Sequence, residues 1–223
     1  MLPLMNHSEL KKSAKNLLIN HYGFFFMTFL VYFVLYFLGA VTDAVGRIRY
    51  GSIIDSPWTV WDSSNTIFSL LYSLILVGIE FICIDSLRNK NTYDHGFSKG
   101  FTIFSKAKYF WGTVFIAILQ FIWVVFWSLL LIIPGIIKGI AYSQAIYIYR
   151  DSVDQGDPIK YRDAVTRSRQ LMDGNKWKYF WLSLSFIGWF ILVGITAGLA
   201  IFWVAPYYHL TMTNFYVELK KAA

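Results

Sequence analysis

Residues 24–41 form a run of eighteen without one charged side chain, and residues 67–84 form a second run of the same length that carries only Glu80. A bilayer crossing needs about 17 to 25 such residues, and inside lipid every backbone N–H and C=O must find its partner within the segment. The runs therefore predict membrane helices. Further apolar stretches cover residues 109–133, 136–149, 179–195 and 199–217. The expected fold is all-α: a polytopic helical membrane protein whose six transmembrane helices form three hairpins, in one integral domain over residues 1–223. With 57% hydrophobic and only 15% charged residues and a mean hydropathy of +0.49, a soluble domain of this length is excluded. The net charge of +7 is spread beside the apolar runs, so anionic lipid headgroups fit it better than nucleic acid does.

Two runs test the span assignment. In residues 67–84, twelve Leu, Ile, Phe and Val residues at about −0.45 kcal/mol each outweigh about +3 kcal/mol for a central charge, so the segment inserts with Glu80 inside it. Residues 136–149 cover only about 21 Å of a core about 30 Å thick. A turn near Ser128 would even out the third and fourth spans but would carry Lys138 to mid-membrane. A turn at Pro134 and Gly135 lets Lys138 snorkel to the outer side, with the third helix tilted. The first run is read as a retained anchor and not a signal peptide, since no A-x-A site follows it. Residues 42–66, rich in Gly, Asp and Ser, read as a loop with Trp58 and Trp61 at the interface. Pro206 is expected to kink the last helix.

Between the spans the polar segments have their own order. At the N-terminus Ser8 can cap a helix whose stripe is Leu10, Ala14, Leu17 and Leu18. Phe97, Phe101 and Phe104 fall on one stripe before the third span. In residues 151–181, Asp157 can cap and Pro158 suits a first helical position. Tyr161, Ala164, Val165, Ser168, Leu171 and Met172 then share a face opposite Lys160, Asp163, Arg167 and Gln170, and Gly174 ends the helix. Each hairpin thus has an amphipathic cytoplasmic lead-in. KAKYFW at 106–111 and KWKYFW at 176–181 match at five of six places, suggesting repeat units 1–84, 85–150 and 151–223. Lys and Arg divide seventeen to three between the two sides, which places both termini in the cytoplasm.

LLLIIPGIIKGIAYS (129–143), DAVTRSRQLMDGNKW (163–177), LSFIGWFILVGITAG (184–198) and FWVAPYY (202–208) resemble an uncharacterised family of Gram-positive bacterial integral membrane proteins, domain-of-unknown-function family 975. The resemblance is dense over residues 129–215 and implies a location in the bacterial cell membrane. The family has no established function, so it brings no functional residues to this chain.

Candidate chemistry lies in the polar groups inside the spans: Glu80, Gln120, Gln144, His209 and Asn214. Counted from the cytoplasmic ends, Gln144 lies about 9 Å deep, His209 about 12 Å and Glu80 about 7 to 12 Å. Glu80, Gln144 and His209 are therefore a candidate intramembrane cluster for a cation, a proton or a polar headgroup, set against the plainer reading of hydrogen bonds between helices. Arg162, Arg167 and Arg169 are candidate lipid-phosphate contacts, because guanidinium pairs bidentately with phosphate, set against a solvated helix face. Asp94 and His95 alone are too few to hold a metal. Cys83, the only cysteine, excludes an internal disulfide and reads as a small core residue. No metalloprotease, nucleophile-elbow, Walker or dinucleotide motif occurs, so neither enzyme activity nor a cofactor is expected. The expected function is binding or passing a small molecule, lipid or peptide; the alternative is a membrane scaffold, in one variant linked to the response to membrane-active peptides.

Overall fold

The computed structural model describes residues 6–50 and 60–222. They fold into helices without a strand among the described residues, and four of the helical stretches, Tyr22–Thr42, Thr66–Leu87, Ala107–Leu129 and Lys176–Ile195, are long and apolar enough to cross a membrane.

Helix α1 (His7–Asn20) starts at Asn6, whose N–H donates to the Glu9 carboxylate at 3.0 Å, so the cap is Asn6 with Glu9 and not Ser8. Its stripe Leu10, Ala14 and Leu18 is fully buried, but its cover is protein: α1 packs along α11 (Ile201–Ala222), where Asn214 Nδ2 donates to the Leu10 carbonyl at 3.2 Å. Helices α2 (Tyr22–Tyr50) and α3 (Val60–Leu87) form the most extensive helix pair. Both run well into the expected loop 42–66, whose centre, with Trp58, lies outside the described residues. The short α4 (Gly96–Lys99) and a 3-10 turn (Thr102–Phe104) sit on this pair, replacing the continuous helical stripe expected there. The contact needs bare backbone. A Cβ on Gly100 would lie 2.8 Å from the Thr28 carbonyl, and one on Gly78 would lie 2.7 Å from the Ile103 nitrogen. Phe97, Phe101 and Phe104 are left exposed.

Helix α5 (Ala107–Leu130) begins inside KAKYFW and pairs with α6 (Ile132–Tyr142). The chain reverses at Leu131, three residues before the expected Pro134, which instead occupies the first turn of α6 where its missing N–H costs nothing. Gln120 Nε2 donates to the Tyr142 carbonyl at 2.7 Å, locking the pair. The expected fourth span is interrupted at Ser143 and Gln144, after which α7 (Ala145–Asp154) continues almost wholly buried. Helix α8 (Tyr161–Leu171) starts at Lys160, later than Asp157 and Pro158 suggest, and buries the expected face through Ala164, Val165 and Ser168. It packs on α5, α6 and α7. Gly174, at φ 72°, takes the left-handed conformation that ends the passage.

Helices α9 (Lys176–Leu184) and α10 (Ile187–Ile195) break at Ser185 and Phe186. Lys11 Nζ donates to the Ser185 carbonyl at 3.2 Å and lies 4.4 Å from the Phe186 ring centre, so α1 covers the break. Tyr179 and Phe186 pack on Phe215 and Tyr208, bringing α9 and α10 along α11, which holds Pro206 in its interior.

Candidate functional site

Glu80 on α3 and His209 on α11 are 129 residues apart, and the fold joins them. His209 Nδ1 lies 2.9 Å from Glu80 Oε1, with both side chains only 14% exposed. Thr213 donates to the His209 carbonyl at 2.7 Å, Phe29 and Tyr208 pack on the imidazole, and the hydroxyl of buried Tyr147 interacts with the Glu80 carboxylate. The contact joins a carboxylate to an imidazole nitrogen, an ionisable couple held between two helices.

Gln144 is held elsewhere. Its amide donates to Ser143 Oγ at 2.7 Å, its backbone N–H donates to Ser168 Oγ at 3.2 Å, and its Oε1 is buried without a partner among the described residues. Counted depth placed it beside the pair, but the break in the helix at this residue turns it toward α8. Of the three candidates, a direct contact joins Glu80 and His209, while the bonds of Gln144 go to Ser143 and Ser168. Gln120 and Asn214 act as ties between helices through the bonds to Tyr142 and Leu10.

A second arrangement was not foreseen from the sequence. Asp151 on α7 accepts two bonds from Arg88 at 2.8 and 2.9 Å, one from Tyr216 at 2.7 Å and one from Lys220 at 2.6 Å. Next to it Arg150 donates to Asp85 at 2.5 Å, and its Nε lies 2.9 Å from Asp154, an ion-pair distance without hydrogen-bond alignment. Asp154 also takes Lys106 at 2.8 Å and the Tyr109 hydroxyl. The ends of α3, α7 and α11 and the start of α5 are thus clasped around a cavity of about 610 Å³. Burial alone would push the Asp151 carboxyl up; the bonds from Arg88, Lys220 and Tyr216 win and hold it well below the usual carboxylate range. The same contest, decided by Lys106 and Tyr109, lowers Asp154. The available signal was Arg150, Asp151 and Asp154 within one helical turn at the end of an apolar helix.

The three arginines divide. All three are exposed, but Arg162 and Arg169 line a cavity of about 230 Å³ with Lys138 of α6 and Trp123 and Trp127 of α5, and Arg167 does not. Lys138 Nζ lies 4.5 Å from the Trp127 ring centre. Lys138 therefore sits with the arginines of α8 and not across the membrane from them as expected. Among the described residues none of the three cations pairs with a carboxylate, and no three His, Cys, Asp or Glu side chains gather to hold a metal. Asp94 is occupied by Lys99 and Thr92, whose bonds lower it to about 2.

Residues 118–223 match the family model described as "Protein of unknown function (DUF975)". The resemblance read over residues 129–215 lies inside this stretch, which includes His209 and the cationic cavity but not Glu80. No curated protein and no solved structure matches the chain.

Proposed function

We propose that this chain, whose residues 118–223 carry the signature of a family with no established function, is a non-enzymatic multi-pass protein of the bacterial cytoplasmic membrane. In this reading both termini are cytoplasmic, and the protein binds or passes a small polar or cationic molecule at the Glu80–His209 pair. Four helices of crossing length and apolarity support the membrane setting, and the uneven distribution of Lys and Arg supports the orientation. The pair carries the functional part. Neutral groups such as Gln120 and Asn214 already tie helices together, so an ionisable couple adds little to packing that an amide would not. What it adds is a charge that can change.

The test is native mass spectrometry of the gently solubilised protein, with Glu80→Gln and His209→Ala beside wild type. A defined bound mass present in wild type and absent from both variants is expected. Identical spectra from variants that retain the wild-type unfolding temperature would overturn the reading. A scaffold role is the second reading, in one variant linked to the response to membrane-active peptides. It is favoured by one observation: Ile133, Ile136, Ile137 and Ile140 face Trp177 and Phe180 across an apolar groove of about 320 Å³.

A further inference from the structure

We propose that the cavity between α5, α6 and α8 is a phosphate-binding site, taking a phosphate group that carries net negative charge, borne either by an anionic lipid or by inorganic phosphate. This site is separate from the Glu80–His209 pair and stands without that reading.

Arg162 and Arg169 are seven residues apart on α8, two helical turns, which places them on one face with backbone positions about 10 Å apart along the axis, and both side chains line the same cavity. Lys138 reaches the same space from α6. Three cations around one small volume repel each other; Arg162 and Arg169 are exposed and Lys138 is half-buried, so water screens part of this repulsion and a bound anion would relieve the rest. At the clasp the answer comes from the protein, where Asp85, Asp151 and Asp154 line the cavity with the cations. Here no acidic residue lines the cavity, and no described carboxylate pairs with Lys138, Arg162 or Arg169. The negative charge that would complete the site has to come from outside the protein.

The chemistry of the lining narrows what brings it. Two guanidinium forks and an ammonium present the donor set that recognises phosphate oxygens. Trp127 holds the Lys138 ammonium over its ring face, so this cation is positioned before anything binds. Trp123 and Trp127 lie one turn apart on α5, and indoles concentrate at the headgroup level of a bilayer. Leu119 and Val165 give the same cavity an apolar wall. A volume of about 230 Å³ falls below the roughly 300 Å³ at which sites for drug-sized molecules begin, and suits a headgroup-sized anion. Arg167, one turn from neither cavity arginine and turned to solvent, serves as the internal control.

The experiment follows thermal unfolding of the full-length protein in a neutral detergent while dihexanoyl-phosphatidylglycerol, dihexanoyl-phosphatidylcholine or inorganic phosphate is titrated. Phosphatidylglycerol is expected to stabilise wild type and Arg167→Gln at the same midpoint concentration. Arg162→Gln, Arg169→Gln and Lys138→Gln should each raise that midpoint about ten-fold, as loss of one charge-assisted contact implies. Phosphatidylcholine, whose phosphate is neutralised by its own ammonium, should have no effect. If inorganic phosphate stabilises as strongly and is lost in the same variants, the anion is drawn from solution; if only phosphatidylglycerol acts, it is a lipid headgroup. Either result supports the site. Should a glutamine variant fail to fold, Arg162→Lys and Arg169→Lys, which keep charge but lose the fork, must still raise the midpoint. Equal midpoints in wild type and in every folded variant, or no stabilisation by either anion, would overturn it.

Discussion

Asp151→Asn should be the most damaging single substitution of a charged residue in this chain. The carboxylate is 6% exposed and accepts four bonds, two from Arg88, whose side chain is 19% exposed. Removing one member of a buried pair costs about 3 to 5 kcal/mol, because the other charge stays behind unpaired. Arg88 keeps some access to water and Lys220, at 38% exposed, can swing out, so the lower end applies, about 3 kcal/mol. For a chain of this size each kcal/mol moves the melting temperature by about 2 to 4 °C, so a fall of about 6 to 12 °C is expected in detergent. Asp94→Asn, which alters only exposed contacts with Lys99 and Thr92, should leave the temperature unchanged. The pH dependence has a definite sign. A carboxylate whose folded pKa is depressed stabilises fully above its unfolded pKa of about 3.9 and loses that contribution as pH falls toward the folded value. Between pH 6 and pH 3 wild type should therefore lose more stability than Asp151→Asn does. A change below 2 °C at pH 7, or parallel pH curves, would refute the clasp as the tie between α3, α7 and α11.

Four further substitutions probe packing by the same unfolding assay. Gly78→Ala places a methyl group against the Ile103 backbone and should cost about 1 to 3 kcal/mol, whereas Gly188→Ala, with open space around it, should be neutral or slightly stabilising. Leu10→Ala should cost about 2 to 5 kcal/mol if α11 covers the α1 stripe, and far less if lipid does. Ile19→Ala, on the exposed side of the same helix, should change little.

Apolar periodicity was legible where it was strong. Leu10, Ala14 and Leu18 on α1, and Ala164, Val165 and Ser168 on α8, are the buried residues of their helices, as the stripes imply. Periodicity names the hidden face but not its cover, since lipid and protein are equally apolar partners. This is why α1 read as a helix on the bilayer surface while it is docked on α11. Helix ends were less legible: Ser8 and Asp157 have capping chemistry, yet α1 begins at Asn6, which pairs with Glu9 three residues on, and α8 begins at Lys160. Of the candidate site, Glu80 and His209 were found by their cost in lipid. Asp151 was missed because a charge at the end of an apolar run is ordinarily solvated, and only its three partners, scattered from residue 88 to residue 220, show that it is not.

The setting of α5 follows from what lies beside it. By length and hydropathy α5 can cross a bilayer, and a crossing would put the Leu131 turn on the outer side. Yet Leu119, Trp123 and Trp127 of α5 share a cavity with Arg162 and Arg169, and Phe115 stacks on Tyr161 at 5.3 Å, so α8 runs beside the second half of α5. If that half lay at mid-membrane, Arg167 on the open face of α8 would lie there too, at about 2.5 to 3.5 kcal/mol for a central arginine and with no protein to shield it. The indoles and the cations are both satisfied if the α5–α6 turn and α8 lie together at headgroup level on the side of the clasp. In the proposed orientation Lys138 then joins the Lys and Arg assigned to the cytoplasmic side by the sequence, and the charge asymmetry sharpens. A membrane-impermeant maleimide decides the matter on intact cells and on inverted vesicles, since native Cys83 is buried and stays silent. Leu131→Cys and Gln170→Cys should both react from the cytoplasmic face only. Labelling of Leu131→Cys from outside, with Gln170→Cys reacting only from inside, would restore α5 as a full crossing and refute the shared depth.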